Sequence, residues 1–355
     1  MSILNLIRSE LLDVPSYTTG EDMGQHRLHA NELPWSAINA DSIGLNFYPA
    51  TQLKMQLQEQ LAQRYQVDCE QITLTRGSDD GIDLIVRLFL NAGQDAFMQF
   101  PPTFSMYSFY ARLQQAQILQ CPLDPANNFA LSLKQVNQNW RENCKLIMLC
   151  NPNNPTGNLI DLQFIATLCE LYKNRSVIVV DEAYMEFANG QSATTLLSQY
   201  DNLIILRTLS KAYGLAGLRL GVIIAQSQVI QAVNKIIAPY PLSSVVMRLA
   251  LQALANNDWF TTAIRKIKNA REKLINDLKA NPLIEKVYPS EANFILLKTL
   301  YADELASWFF QQGISIRNFS SNPLMHHLRI TVGDEQQNLL LIAALSSFQN
   351  NVSGF

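Results

Sequence analysis

No C-x-x-C pair occurs among the five cysteines, Cys69, Cys121, Cys144, Cys150 and Cys169. An odd, scattered set argues against a disulfide framework or a zinc site and for reduced thiols, most of them acting as small buried hydrophobes. The four histidines, His26, His29, His326 and His327, form two loose pairs without metal-ligand spacing. Charge is scarce too: 16% of residues are charged, with 27 Lys+Arg against 30 Asp+Glu and a formal net charge of -3. That balance lacks the basic excess a nucleic-acid partner requires. No apolar run approaches the ~20 residues that span a bilayer. Met1 to Asp13 alternates Ile3, Leu4, Leu6 and Ile7 with Arg8, Glu10 and Asp13, the pattern of an amphipathic helix rather than of a signal peptide. A soluble, cytoplasmic chain is therefore expected. Dinucleotide, P-loop and zinc-protease signatures are missing, as are internal repeats and low-complexity tracts.

Hydrophobic residues, by contrast, make up 48% of the 355 positions, enough for a large core and a second domain. Short apolar runs at Ile72–Leu74, Ala96–Phe100, Leu146–Cys150, Val177–Val180, Leu203–Leu206 and Gly221–Ala225 alternate with helical-period segments such as Gly81–Leu90, Phe104–Leu113 and Leu162–Tyr172. This predicts an α/β fold, a mostly parallel sheet covered by helices on both faces. Val245–Leu278 has no Gly or Pro and predicts a long helix leaving that domain. Strands at Asn293–Leu297, Ile314–Ile316 and Leu328–Val332, with helices at Tyr301–Gln312 and Glu335–Phe348, then predict a smaller α/β domain sharing a cleft with the first.

Four polar strings follow strand-like runs: Gly77-Ser78-Asp79-Asp80, Asn151-Pro152-Asn153-Asn154-Pro155-Thr156-Gly157, Asp181-Glu182-Ala183-Tyr184 and Ser210-Lys211. Each alone has a plainer account: a turn, an N-cap, a solvated amine. Ligands of open parallel sheets sit beyond the carboxyl ends of the strands, so together the four should meet at one crevice. Their spacing is 27 residues from Asn154 to Asp181, 30 more to Lys211 and 8 more to Arg219.

The string from Arg207 to Gly221, RTLSKAYGLAGLRLG, with NPNNPTG and DEAY, resembles the pyridoxal-phosphate aminotransferases of fold type I. Within them the likeness is greatest to the histidinol-phosphate aminotransferases and covers nearly the whole chain. The resemblance implies an N-terminal arm over 1–45 joining the small domain, a large cofactor-binding domain over 46–275 and a small domain over 276–355. It implies pyridoxal 5'-phosphate as cofactor, which withdraws electrons from a substrate α-carbon once held by an amine. Lys211 would supply that amine and then move a proton, and Asp181 would face the ring nitrogen. Asn154 and Tyr184 would contact the ring 3-oxygen. Ser78 and Asp79, ahead of a helical pattern, suit the phosphate, with Ser210 and Arg219 completing its cup. Phe104 takes the stacking position where relatives often carry Tyr.

Arg329, in Leu328-Arg329-Ile330, matches an arginine that forks onto carboxylate or phosphate. Arg317 and Tyr17 match positions holding the substrate phosphate, and Tyr48 matches a residue reaching a partner subunit's cofactor, implying a homodimer. The implied reaction exchanges the amino group between L-histidinol phosphate and 2-oxoglutarate, giving imidazole acetol phosphate and L-glutamate, in histidine biosynthesis. Alternatives on the same fold are an aromatic amino acid aminotransferase and a threonine-phosphate decarboxylase; a different class is a non-catalytic ligand sensor. Asn31-Glu32-Leu33-Pro34-Trp35-Ser36 departs from the family's usual Asn-Glu-Asn-Pro-Tyr-Gly and bears on the substrate pocket wall.

Overall fold

The computed structural model describes residues 3–15 and 44–353. In chain order the elements are α1 (Ser9–Leu12), α2 (Thr51–Tyr65), β1 (Ile72–Thr75), α3 (Ser78–Phe89), β2 (Ala96–Gln99), α4 (Met106–Leu113), β3 (Gln117–Gln120), α5 (Leu133–Asn139), β4 (Cys144–Cys150), α6 (Leu162–Leu171), β5 (Val177–Asp181), β6 (Leu203–Thr208), β7 (Gly221–Ile224), α7 (Ser227–Ile236), α8 (Ser244–Leu254) and α9 (Asn257–Lys279). The remainder comprises β8 (Lys286–Val287), β9 (Phe294–Lys298), α10 (Ala302–Gln311), β10 (Arg317–Phe319), β11 (His327–Thr331) and α11 (Glu335–Ser353).

Seven strands form one sheet in the order β1-β7-β6-β5-β4-β2-β3, in which β7 alone runs antiparallel to its neighbours. Continuous apolar runs such as Val177–Val180 suit this sheet because both of its faces are covered. Side chains alternate along a strand, and β5 divides accordingly: Ile178 and Val180 enter a core with α2, α6 and α8, whereas Val177 and Val179 enter a core with α3, α4 and α7. The fold class expected from the sequence is the one found. An edge strand, β3, escaped the sequence reading: its partly exposed QILQ offers two apolar residues between glutamines, a short and polar edge.

Four antiparallel strands, β10-β11-β9-β8, form the second sheet, packed on α9, α10 and α11. Its β10 begins at Arg317 rather than at Ile314, because pairing with β11 sets the register Arg317 opposite Arg329, while Ile314 and Ile316 pack toward the core of this sheet. The helical stretch expected over 245–278 is two helices. Asn256 interrupts it, its side chain accepting from the Trp259 N–H to start α9. Helix α9 then joins the two bodies, contributing Phe260 and Ile264 to the large core and Leu274 and Leu278 to the small one.

The expected N-terminal helix is also broken, into a 3-10 turn at Ile3–Leu6 and the single-turn α1. Between them the Arg8 N–H donates to the Leu88 carbonyl at the end of α3. Ile3, Leu6 and Ile7 pack with α3 and α7. The apolar face of this stretch is thus covered by helices of the large domain. Tyr17, His26, His29 and the 31–36 string lie outside the described residues. Among the described residues no helix is long and apolar enough to cross a membrane. Four of the five cysteines are buried, with Cys69 the exposed one, and all are free thiols.

Candidate active site

The strings that follow β1, β4, β5 and β6 meet at the carboxyl end of the large sheet. Ser78 and Asp79 line a pocket there with Ser210, Lys211 and Arg219. Phe104, Asn154, Asp181 and Tyr184 complete its lining among the residues singled out from sequence.

One wall is the first turn of α3. Its N-cap is Gly77, at φ 83, and no side chain caps the turn. A Cβ at Gly77 would stand 2.6 Å from the Arg219 guanidinium, and one at Gly221 would stand 2.5 Å from the Gly77 carbonyl carbon. Glycine is required at both positions for β7 and the α3 turn to approach this closely. Arg219, itself at φ 53, donates to Ser210 Oγ at 3.4 Å, to the Ala216 carbonyl at 3.2 Å and to Asp79 Oδ2 at 3.3 Å. Free N–H groups, hydroxyls and a guanidinium thus share one end of the pocket, the composition of an anion site.

At the end of β5, Asp181 is buried and, among the described residues, makes no ion pair. It accepts from the Ala183 N–H at 3.1 Å and from the Tyr107 hydroxyl at 2.8 Å. Burial dominates those bonds and pushes its carboxyl up to about 6.

Asn154 Nδ2 donates to the Tyr184 hydroxyl at 3.3 Å, and Arg329 donates to Asn154 Oδ1. Tyr184 is held edge-on against Phe294 of β9, with ring centroids 5.1 Å apart, so the small sheet reaches the pocket through two of its strands. Burial raises the Tyr184 phenol well above its ordinary range. The Lys211 amine lies 5.6 Å from the centre of the Tyr184 ring. Burial, then the Arg329 cation, lower its proton affinity, with Arg219 acting the same way and Asp79 and Asp181 opposing. Burial lowers that of Arg329 as well, assisted by Arg317. A guanidinium stays charged regardless.

Two residues singled out from sequence stand apart. Arg317 is exposed on β10, directly across from Arg329. Tyr48 is exposed and stacks on Tyr240, with centroids 4.4 Å apart and planes at 16°. It does not line this pocket. Three residues escaped the sequence reading. Tyr107 lies three positions past Phe104 and meets its ring edge-on at 5.5 Å. Cys150 lines the pocket beside Asp181, its thiol pushed to about 12 chiefly by burial. Arg207 is buried behind the site, 2.7 Å from both Glu182 and Glu186. A cation inside the apolar strand LIILRT is the signal that could have found it, since buried charge needs partners.

The aminotransferase class I and II family model matches residues 21–345. A histidinol-phosphate aminotransferase of Legionella pneumophila (strain Lens) is 59% identical over 355 residues, covering 100% of this chain and 98% of that protein. The chain belongs to the histidinol-phosphate aminotransferases of the class I and II aminotransferase family. A further member, from Flavobacterium psychrophilum, is 36% identical over 98% of this chain and 99% of its own length. Among solved structures, histidinol-phosphate aminotransferase from Sinorhizobium meliloti in complex with pyridoxal-5'-phosphate is 25% identical with a TM-score of 0.78, covering 87% of this chain and 84% of that one. The Clostridium acetobutylicum structure, at 21% identity and a TM-score of 0.79, shares the fold over 86% of this chain and 92% of its own.

Proposed function

We propose that this chain exchanges the amino group between L-histidinol phosphate and 2-oxoglutarate, with pyridoxal 5'-phosphate as cofactor, as a step of histidine biosynthesis. The observation that carries the reading is the polarity of the pocket: an unpaired, buried carboxylate at one side, an uncapped helix start with a guanidinium at another, and an amine of lowered proton affinity between them. A phosphorylated pyridine aldehyde needs those three partners. When bound, the cofactor supplies an electron sink for the substrate's α-carbon.

In this reading Ser78, Asp79, Ser210 and Arg219 hold the cofactor phosphate, and Phe104 covers the ring face. Asp181 keeps the ring nitrogen protonated, since a cation beside it relieves the cost of burying its charge. Asn154 and Tyr184 orient the ring through its 3-oxygen. Lys211, half stripped of its solvation, is the nucleophile that holds the cofactor and the base that carries a proton to and from the substrate's α-carbon.

Arg329 and Arg317, facing each other across β11 and β10, take the anionic end of the substrate. Both implied amino donors end in such a group, a phosphate ester or a carboxylate, and a planar fork accepts either. Tyr17 joins them by resemblance. The reading includes a cytoplasmic homodimer in which Tyr48 serves the partner subunit's cofactor; its exposure outside its own pocket supports this.

The test is the visible absorbance of the purified holoenzyme. The band of the lysine-held cofactor should bleach with L-histidinol phosphate and return with 2-oxoglutarate. Bleaching by phenylalanine alone, or carbon dioxide release from phosphothreonine, would transfer the assignment to the corresponding relative.

A further inference from the structure

Side-chain parity along β5 places Asp181 on the same face as Val177 and Val179, the face covered by α3, α4 and α7. Tyr107, on the first turn of α4, is fully buried in that core. Its hydroxyl comes within 2.8 Å of Asp181 Oδ2, while the Ala183 N–H holds Oδ1. Phe104, one turn earlier, meets the Tyr107 ring edge-on and itself lines the pocket. A fully buried phenol whose oxygen lands on the one buried carboxylate of the pocket is a costly arrangement unless the bond does something, because an apolar ring would fill the space without a polar atom to satisfy.

We propose that Tyr107 is a positioning residue for the cofactor: by donating to Asp181 Oδ2 it holds that carboxylate in its ionised form and in fixed orientation, and so keeps the proton on the cofactor's ring nitrogen. The proposal rests on the reading of Asp181 given above and extends it to a second residue that does not touch the reacting atoms.

The direction follows from elementary electrostatics. A hydrogen bond donated to a carboxylate favours the anion, so it opposes the effect of burial. Without it Asp181 becomes the stronger base, and the proton shared between it and the ring nitrogen moves toward the carboxylate. The other titratable groups around Asp181 are Cys150, its register neighbour on β4, Asp79 on α3, Glu182, Tyr184 and Lys211. The Cys150 thiol is neutral at working pH, and Asp79 and Glu182 favour a protonated Asp181. Lys211 pulls the other way at longer range. Tyr107 and the Ala183 N–H are the two direct donors.

The experiment compares holoenzymes reconstituted with cofactor labelled with 15N in its ring, for the wild type, Tyr107→Phe, Asp181→Asn and the double variant. Expected for Tyr107→Phe is a 15N resonance displaced toward that of an unprotonated pyridine, a weakened cofactor affinity, and a kcat lower by about ten-fold with KM little changed, the size expected for one hydrogen bond to a charged group. In the Asp181→Asn background the same change should alter kcat by less than about two-fold, because residues acting through one group are not additive. An unchanged resonance in Tyr107→Phe, or an equal loss in both backgrounds, overturns the proposal and leaves Tyr107 a packing residue. Asp181→Asn without effect on the resonance would overturn the reading of Asp181 itself. Should Tyr107→Phe fold poorly, 3-fluorotyrosine placed at 107, a stronger donor of nearly the same shape, should displace the 15N resonance toward that of a protonated pyridine; a displacement the other way or none counts against the proposal.

Discussion

Arg329 of β11 and Arg317 of β10 are register partners, two guanidinium-bearing residues placed directly opposite one another in an antiparallel pair. Like charges in that position repel. Arg329 also donates to Asn154, a residue of the pocket wall on the other sheet's side. Such a like-charged pair is suited to an anion that relieves its repulsion. Replacing Arg329 with Lys keeps the charge but loses the fork. KM for histidinol phosphate and for glutamate should both rise, by roughly ten-fold or more. Replacing Arg317 with Ala should raise KM chiefly for the phosphate ester, whose greater charge uses both cations. Steady-state kinetics with each donor checks this.

Lys211→Ala should abolish the visible band of the lysine-held cofactor and lower turnover by at least about 10²- to 10⁴-fold, the range of a lost acid–base group alone. Full transamination by that variant would refute the assigned role.

Asp181 gives the cofactor-free protein a pH signature. Its folded-state value near 6 lies above the ordinary value near 4, so between these pH values the native state holds more protons than the unfolded chain. Stability contributed by the protonated acid is present below about pH 4 and is lost as pH rises through 6, at about 1.4 kcal/mol per unit, or about 3 kcal/mol in all. Apo Asp181→Asn should therefore exceed the apo wild type in stability at pH 7, with the gap closing toward pH 4. Thermal unfolding at pH 7 and pH 4.5 measures it. Holoenzyme should reverse the order at pH 7, because there the carboxylate has a cation to face.

Gly221→Ala inserts a Cβ 2.5 Å from the Gly77 carbonyl carbon and 2.6 Å from the Ser78 nitrogen, both backbone atoms that cannot swing aside. A loss of about 1–3 kcal/mol is expected from overpacking. Cofactor affinity should fall with it, since the displaced atoms open α3. Equilibrium dialysis of the cofactor and denaturant melts separate the two effects.

Arg207→Met leaves Glu182 and Glu186 buried without their cation, and should cost about 3–5 kcal/mol. A melting temperature within two degrees of wild type would show the carboxylates to be protonated or hydrated instead.

Much of the large domain was legible because its strands are buried on both faces and therefore spell continuous apolar runs, as in Val177–Val180. The polar strings after those runs located the pocket. What remained hidden depended on tertiary pairing. Arg317 falls in a strand because β11 selects it, whereas the more apolar Ile314 and Ile316 turn to the core. Asn256 interrupts a helical pattern because its side chain binds a backbone N–H, a competition that periodicity does not register. Tyr107 was invisible for a different reason. Its hydroxyl has meaning only opposite Asp181, 74 residues along the chain.

Helix α9 gives its first turns to one core and its last to the other, and Arg271 within it donates to the Phe187 carbonyl in the large body and the Ala292 carbonyl beside the small sheet. It is thereby a member of both cores. Arg317, Arg329 and Phe294 all sit on the small sheet, while Lys211 follows a strand of the large one. In the proposed reading, grip on the substrate's charged tail belongs to one body and aim at its amino group to the other, and the single helix they share sets the distance between them.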